Sequence, residues 1–407
     1  MLTDISFRDY KKSSDIHGTI LYPAIMVAPV QHSIIADLMK KDHILSVFDP
    51  MHGSGTALYE ALQLADNIEI IGCDINPLAN LITKVKLQGV GPSIEKDIHY
   101  ITKNIHSHSP KIQFTFPNIH KWLRDDIATS ISIIRSIITH IDSKQNRLFF
   151  WYTLCDIIRK FSNTRSSTYK LHTKEPNKIT SIENNVIESY IFSIKNNYTK
   201  FMNYGKDVTL HKCDILDLLP HMDADSIDLS ITSPPYGDNA TTVPYGQFSM
   251  LALHTITPND LELEGWELDN YSIIDTKSMG GAKRLTALNP YQRNLLDPFL
   301  NKISPPKHAK VLSFFYDYFK FLDGLCRVTK KYIALTLGNR TVDRVNIDLT
   351  DVTKKYLENK NFKKVVQACR EIPLKRTPKY TSSVYEKPVS SMNHEFVIVY
   401  EKTRYAP

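Results

Sequence analysis

Short apolar runs recur along this chain, several of them stopped by an acid and followed by a helical pattern. Ile44-Leu45-Ser46-Val47-Phe48 reads as a buried strand ending at Asp49. A loop of small residues, Pro50 to Thr56, then leads into Ala57-Leu58-Tyr59-Glu60-Ala61-Leu62, a good helix former. Ile68-Glu69-Ile70-Ile71-Gly72-Cys73 predicts a second strand, stopped by Asp74 and followed by Ile75-Asn76-Pro77. Val208 to Ile215 predicts a third, with Asp214 near its end. Ser226 to Ile231 alternates apolar and polar residues up to a turn at Thr232. Strand, loop and helix in this order predict an α/β domain on a parallel sheet.

Between the second and third strands the pattern turns helical for far longer than one crossover requires. Trp122 to His140 places Ile127, Ile131, Ile134 and Ile138 on one face, and Arg147 to Phe161 and Ile182 to Tyr204 predict further helices. Most of residues 97–206 is therefore expected to be a largely helical insertion. Its charge sets it apart, with 16 Lys and Arg against 8 Asp and Glu, whereas the other 297 residues sum to −1. Within it, Ser162 to Lys174 is a loop of hydroxyls and cations. Arg165, Lys170 and Lys174 there suit contacts to nucleic-acid phosphates, although a solvated linker between helices has the same composition. No helix-turn-helix or zinc-finger spacing marks a base-reading element.

The chemistry concentrates at the strand ends. A strand, a small-residue loop and a helix bring backbone groups close to a ligand. Phe48-Asp49-Pro50-Met51-His52-Gly53-Ser54-Gly55-Thr56 matches neither the dinucleotide nor the triphosphate glycine pattern. Asp49 is instead placed to pair with the ammonium of an amino-acid-like cofactor. Asp74 stands where a carboxylate holds ribose hydroxyls, and Asp214 where one reaches an adenine edge. Thr232-Ser233-Pro234-Pro235-Tyr236-Gly237 addresses a different problem. The lone pair of an exocyclic base amino group is delocalised into the ring. Acceptors facing the NH2 draw the nitrogen toward sp3. Ser233 and the Pro234 carbonyl supply two, held stiff by Pro234 and Pro235. Tyr236 offers a ring on which an extruded base stacks. Taken alone, Ser-Pro-Pro-Tyr is also simply a rigid turn.

Together, D-P-x-x-G-S-G-T and T-S-P-P-Y resemble the S-adenosylmethionine-dependent amino-methyltransferases of DNA, especially the cytosine-N4 enzymes of restriction–modification systems. Adenine-N6 members usually carry Asp or Asn where this chain has Ser233, which tilts the expected base toward cytosine. His17 to Ala24 resembles the segment that closes over the methionine end of the cofactor. Lys331 to Asn339 and Glu395 to Glu401 resemble the fifth and last strands of the fold. The likeness covers residues 15–96, 207–250 and 311–402. It implies a Rossmann-like class I methyltransferase with a mostly parallel seven-stranded sheet. It also implies a cofactor site of Tyr22, Pro23, Asp49, Pro50, Gly53, Ser54, Gly55, Thr56, Asp74, Ile75, Asn76, Asp214 and Ile215. Ser233, Pro234, Pro235 and Tyr236 would be catalytic, double-stranded DNA the substrate, and a cognate restriction endonuclease or second methyltransferase a partner. No metal is required, and the absence of a Pro-Cys dipeptide excludes carbon-5 cytosine chemistry.

The expected organisation follows from these positions. Residues 1–96 form the cofactor-binding half, 97–206 the basic insertion, 207–237 the third and fourth strands with the catalytic turn, and 311–407 the rest of the sheet. Residues 238–310 form a lid and second candidate recognition region. Gly237 to Ser249 is expected to be a loop over the base pocket, with Tyr245 as a second aromatic. Lys277 to Arg284 reads as a basic hinge in which Lys283 and Arg284 reach DNA, and Gly280-Gly281 is either a close backbone approach or only a turn. Five scattered cysteines lack metal or redox spacing, each reading best as a small core residue. With no membrane span or apolar leader, a reducing cytoplasm is expected. Three alternatives stay open: adenine-N6 methylation, RNA amino-methylation (against which the short N-terminus counts), and a non-catalytic DNA-binding subunit.

Overall fold

The computed structural model describes residues 5, 7, 9–110, 113–201, 208–238, 242–262, 272–281, 287–372, 380–381, 389–390 and 394–403. The first half contains α1 (Ala28–Lys41), β1 (Ser46–Asp49), α2 (Thr56–Leu64), β2 (Glu69–Cys73) and α3 (Pro77–Gln88). The helical segment follows as α4 (Ile94–Asn104), α5 (Asp125–Ile138), α6 (Lys144–Phe161) and α7 (Val186–Asn197). Next come β3 (Val208–His211), β4 (Ile227–Thr232), α8 (Tyr245–Thr255) and α9 (Pro305–Val328). The chain closes with β5 (Thr329–Gly338), α10 (Leu349–Asn359), β6 (Phe362–Glu371) and β7 (His394–Lys402). The helix Pro290–Leu300, the shorter helices and two short strand pairs carry no label.

Seven strands pair in the order β3-β2-β1-β4-β5-β7-β6. The first four pairings are parallel, and β7 runs antiparallel between β5 and β6. This is the Rossmann-like class I methyltransferase arrangement that the motifs implied. Side-chain alternation splits the core. Val47, Leu229, Ile231 and Ala334 face α1 and α2, while Phe48, Ile333, Leu335 and Leu337 face α9 and α10. Both β1 and β4 are buried throughout, as a parallel sheet covered on two faces requires. The chain winds outward from β1 to β3, then restarts at β4 on the other side. Ligands in such sheets bind at the crevice where the strand order reverses, here between the ends of β1 and β4.

The helical segment does not stand apart from this domain. Its buried face joins α3, α8 and residues 16–22 in one continuous apolar cluster that includes Trp151, Tyr152, Phe149 and Phe150. Ile127, Ile131, Ile134 and Ile138, expected on one face, are all fully buried. The helix expected over 122–140 starts later than its periodicity suggests. Leu123 and Arg124 are extended, and the Arg124 guanidinium donates to the carbonyls of Ile179, Thr180 and Ile182 and pairs with Asp126. Asp125 and Asp126 then open α5, where acids suit the helix dipole.

One further expectation changes, and one open alternative narrows to the turn. The loop expected over 237–249 is shorter, because Tyr245 begins α8. Gly280-Gly281 packs inward as a turn. Gly280 has φ +70°, donates its N–H to Asp317, and a Cβ there would stand 2.9 Å from Phe314. Lys283 and Arg284 lie outside the described residues. Among those described, no helix is long and apolar enough to cross a membrane.

Asp260 fastens the chain after α8 onto α6. It is 7% exposed and accepts from the Arg147 guanidinium, Trp151 Nε1 at 2.7 Å and Thr257 Oγ1 at 3.0 Å. Burial raises its pKa, but these donors outweigh burial and hold the carboxyl below its ordinary value. Asp260→Ala would strand a guanidinium and an indole N–H in the core. Urea denaturation should show a loss of about 3 kcal/mol, the scale for breaking a buried charged pair from one side. A loss within experimental error of zero would show that water replaces the carboxylate.

Candidate functional site

Register places the two loops of interest side by side. Val47 stands opposite Leu229 and Phe48 opposite Ser230, so the chain leaves β1 at Asp49 next to where it leaves β4 at Thr232. Asp49 is fully buried. Its Oδ1 accepts from Met51 N–H, while Oδ2 has no hydrogen-bond partner. Burial raises its pKa to about 7, against the lowering effect of the Thr232 hydroxyl and the Met51 amide. An orphaned carboxylate oxygen at the strand end is the feature an ammonium would satisfy.

Asp74 ties this loop to the next one. One oxygen accepts from Gly53 N–H at 2.9 Å, the other from Asn76 N–H at 2.8 Å. Each oxygen keeps a lone pair for a further donor. Gly55 supplies the left-handed N-cap of α2, with φ +72°, and a Cβ would meet the Thr83 side chain at 2.7 Å. Asn76 caps α3 through its Oδ1, and its Nδ2 donates to Tyr22 Oη at 3.2 Å and Ser249 Oγ at 2.8 Å. Tyr22 and Pro23 are buried, and the Tyr22 ring packs against Tyr245 at 5.9 Å and Phe248 at 5.8 Å. Pro50, Ser54 and Thr56 are likewise buried, whereas Ile75 is partly exposed. Asp214 caps the single turn Ile215–Leu218, with Ile215 buried behind it. Cys73 and Cys213, just before Asp74 and Asp214, are free thiols with sulfurs 3.8 Å apart.

Beneath the glycine loop lies a polar layer that the sequence reading missed. Lys86 is fully buried and donates to the Ser54 carbonyl at 2.8 Å. Burial lowers its pKa to about 7. His52, 2% exposed, lies between the Gly53 carbonyl, Asn80 and Thr83. The available signal was a lysine one turn beyond Ile82, on the apolar stripe of α3.

On the other side of the crevice, Ser233 Oγ lies 3.1 Å from Tyr236 Oη. Burial raises the Tyr236 pKa, with Glu395 adding to the effect. Asp238, 1% exposed, anchors the turn through Lys310 at 3.0 Å and Arg340 at 2.9 Å. Tyr245, expected on a loop over the base pocket, points inward at Tyr22 instead. Its helix start is held by Asp275, which accepts from Gly246 N–H and whose pKa burial raises to about 6.

The candidate phosphate contacts are partly committed within the protein. Lys174 Nζ donates to the Ser162 carbonyl at 2.7 Å, and Arg165 pairs with Glu175 at 3.1 Å. Lys170 is exposed. The bridge between Thr164 and Thr173 closes this loop into a short hairpin. Among the described residues, no cluster of His, Cys, Asp or Glu is arranged to hold a metal ion.

No family model matches the chain. It is similar to the Type II methyltransferase M.MvaI of Kocuria varians, 28% identical over 397 aligned residues covering 90% of this chain and 86% of the relative. That likeness is not confined to the glycine loop and the Ser-Pro-Pro-Tyr turn. With the sheet order and the crevice between β1 and β4, it supports an S-adenosylmethionine-dependent DNA methyltransferase of the restriction–modification kind.

Proposed function

We propose that this protein methylates the N4 amino group of cytosine in double-stranded DNA, with a cognate endonuclease or second methyltransferase as its partner. The observation that carries the reading is the Thr232–Tyr236 turn beside the orphaned Asp49 carboxylate, with a hydroxyl rather than a carboxylate at Ser233. Asp49 holds the cofactor ammonium, Asp74 the ribose and Asp214 the adenine edge. Tyr22, Pro23, Ile75 and Ile215 enclose it. S-adenosylmethionine supplies a methyl group already activated by its sulfonium. The protein's own work is positioning and preorganised electrostatics. Ser233 Oγ and the Pro234 carbonyl accept from the base amino group. They free its lone pair at a fixed place and exclude water from it. Tyr236 swings its hydroxyl off Ser233 to admit the base and stacks on it.

The direct test is to incubate the protein with methyl-labelled cofactor and duplex DNA, digest to nucleosides and identify the product by mass spectrometry. N4-methylcytosine is expected, and N6-methyladenine would keep the site while overturning the role given to Ser233. Tyr236→Ala should lower turnover by about a hundredfold, the scale of a lost positioning contact, with cofactor affinity by calorimetry unchanged. Equal loss in both would place Tyr236 in the cofactor site.

Cofactor binding should also depend on pH in a defined direction. The ammonium needs Asp49 ionised, but the free protein protonates it below about 7. The association constant should therefore fall about tenfold per pH unit below that point and level off above it. Asp49→Asn should bind weakly with this dependence gone. An unaltered pH profile in that variant would move the ammonium elsewhere.

A further inference from the structure

Helix α6 presents Tyr152, Asp156 and Arg159 along one stripe, each one turn from the next, against the segment leading to Tyr22. Tyr152 Oη lies 2.6 Å from Thr19 Oγ1, and Asp156 Oδ1 accepts from Leu21 N–H at 3.3 Å. Arg159 behaves differently. Its guanidinium lies over the Phe248 ring, 4.6 Å from the centroid, and Nη2 donates to the Thr168 carbonyl at 2.7 Å. Nε and Nη1 are buried and neither has a hydrogen-bond partner. Burial pulls the group below its ordinary pKa, with Tyr169 and Asp156 opposing.

Leaving two buried guanidinium nitrogens unbonded is costly, because those donors have given up water for nothing. Stacking on Phe248 offsets part of that cost through the ring face, but it leaves two in-plane N–H groups without an acceptor. Nε and Nη1 lie on different edges of the guanidinium, and each can make one charge-assisted bond to an oxyanion oxygen. The location is informative as well. Phe248 also contacts Tyr22 and Tyr169, each at 5.8 Å, so one ring separates Arg159 from Tyr22. Beside it run the exposed residues Ser166, Ser167 and Lys170. A short charged side chain does not fill the place, since Asp156 turns to the Leu21 backbone.

We propose that Arg159 binds an oxyanion from outside the protein, a phosphodiester of the DNA strand that carries the extruded base. The assignment rests on DNA being the substrate. The cofactor carboxylate is the other source of the same chemistry, and two measurements on the full chain separate them.

Arg159→Met and Arg159→Lys are compared with the parent in two assays. One is calorimetry of S-adenosylmethionine without DNA. The other is anisotropy of a duplex that the parent methylates, followed across salt concentration. Arg159→Met should weaken DNA binding about tenfold and lower the slope of log K against log salt by about one, with cofactor affinity unchanged. Arg159→Lys keeps the charge and should restore the slope, with affinity regained only in part. Loss of cofactor affinity with the DNA slope intact would overturn the phosphate assignment in favour of the carboxylate. Parent-like binding of both ligands by a variant with parent-like melting would overturn the oxyanion site itself. If Arg159→Met melts early, Arg159→Lys decides through its DNA affinity, with a parent-like value counting against the site. A parent that neither binds nor methylates DNA would instead sink the functional reading and leave Arg159 without this ligand.

Discussion

Parallel pairing of β1 with β4 is the constraint on which the rest of the site depends. Opposing Val47 to Leu229 fixes where both strands end, and hence the distance between a carboxylate loop and a proline turn separated by about 180 residues in sequence. A slip of one residue would exchange the two faces of the strand, sending Val47 toward α9 and Phe48 toward α1. Packing on both faces therefore holds the register, and the register holds the site. Asp74 extends the same logic sideways, since its bonds to Gly53 and Asn76 couple the loop after β1 to the start of α3.

Two buried charged groups near the crevice work against folding. Asp49 has its pKa raised from 3.8 to about 7 on folding. Between those values the native state holds the proton more tightly than the unfolded chain, so stability falls as pH rises through that window. Lys86 has its pKa lowered from 10.5 to about 7, so the unfolded chain binds more protons between those values and stability falls as pH drops. At neutral pH both burials oppose folding. The compensation comes from the apolar clusters on either face of the sheet and from the bonds that fix the glycine loop.

Part of the excess positive charge between α3 and β3 is spent inside the molecule. Arg147 is held by Asp260, Lys144 by Glu262 together with Lys84 and Lys212, and Arg124 by the carbonyls before α7. These contacts bind the inserted helices to the chain after α8, so the segment acts as a wall of the catalytic domain. Tyr152 and Asp156 extend that wall to the residues before Tyr22. Lys170 stays exposed, and Arg159 keeps two donors without a partner.

Local order by itself determined much of this protein. Apolar runs ending at Asp49, Asp74 and Thr232 identified three strands of the sheet, because a strand buried on both faces leaves an unbroken apolar record. The glycine loop and the Ser-Pro-Pro-Tyr turn were legible because their backbone geometry admits few residue types. Isoleucine spacing marked α5, but not the kink at Arg124, which exists only because three distant carbonyls capture that guanidinium. Tyr245 was read as part of a loop over the base pocket, whereas Asp275 and the Tyr22 ring hold it at a helix start facing inward. Arg165 and Lys174 looked free until Glu175 and the Ser162 carbonyl took them. Lys86, Asp238 and Arg159 gained their significance only from burial and from partners far along the chain. Sequence fixes which backbone conformations each segment prefers. Only the tertiary structure decides which polar groups lose their water, and so which of them must find a partner.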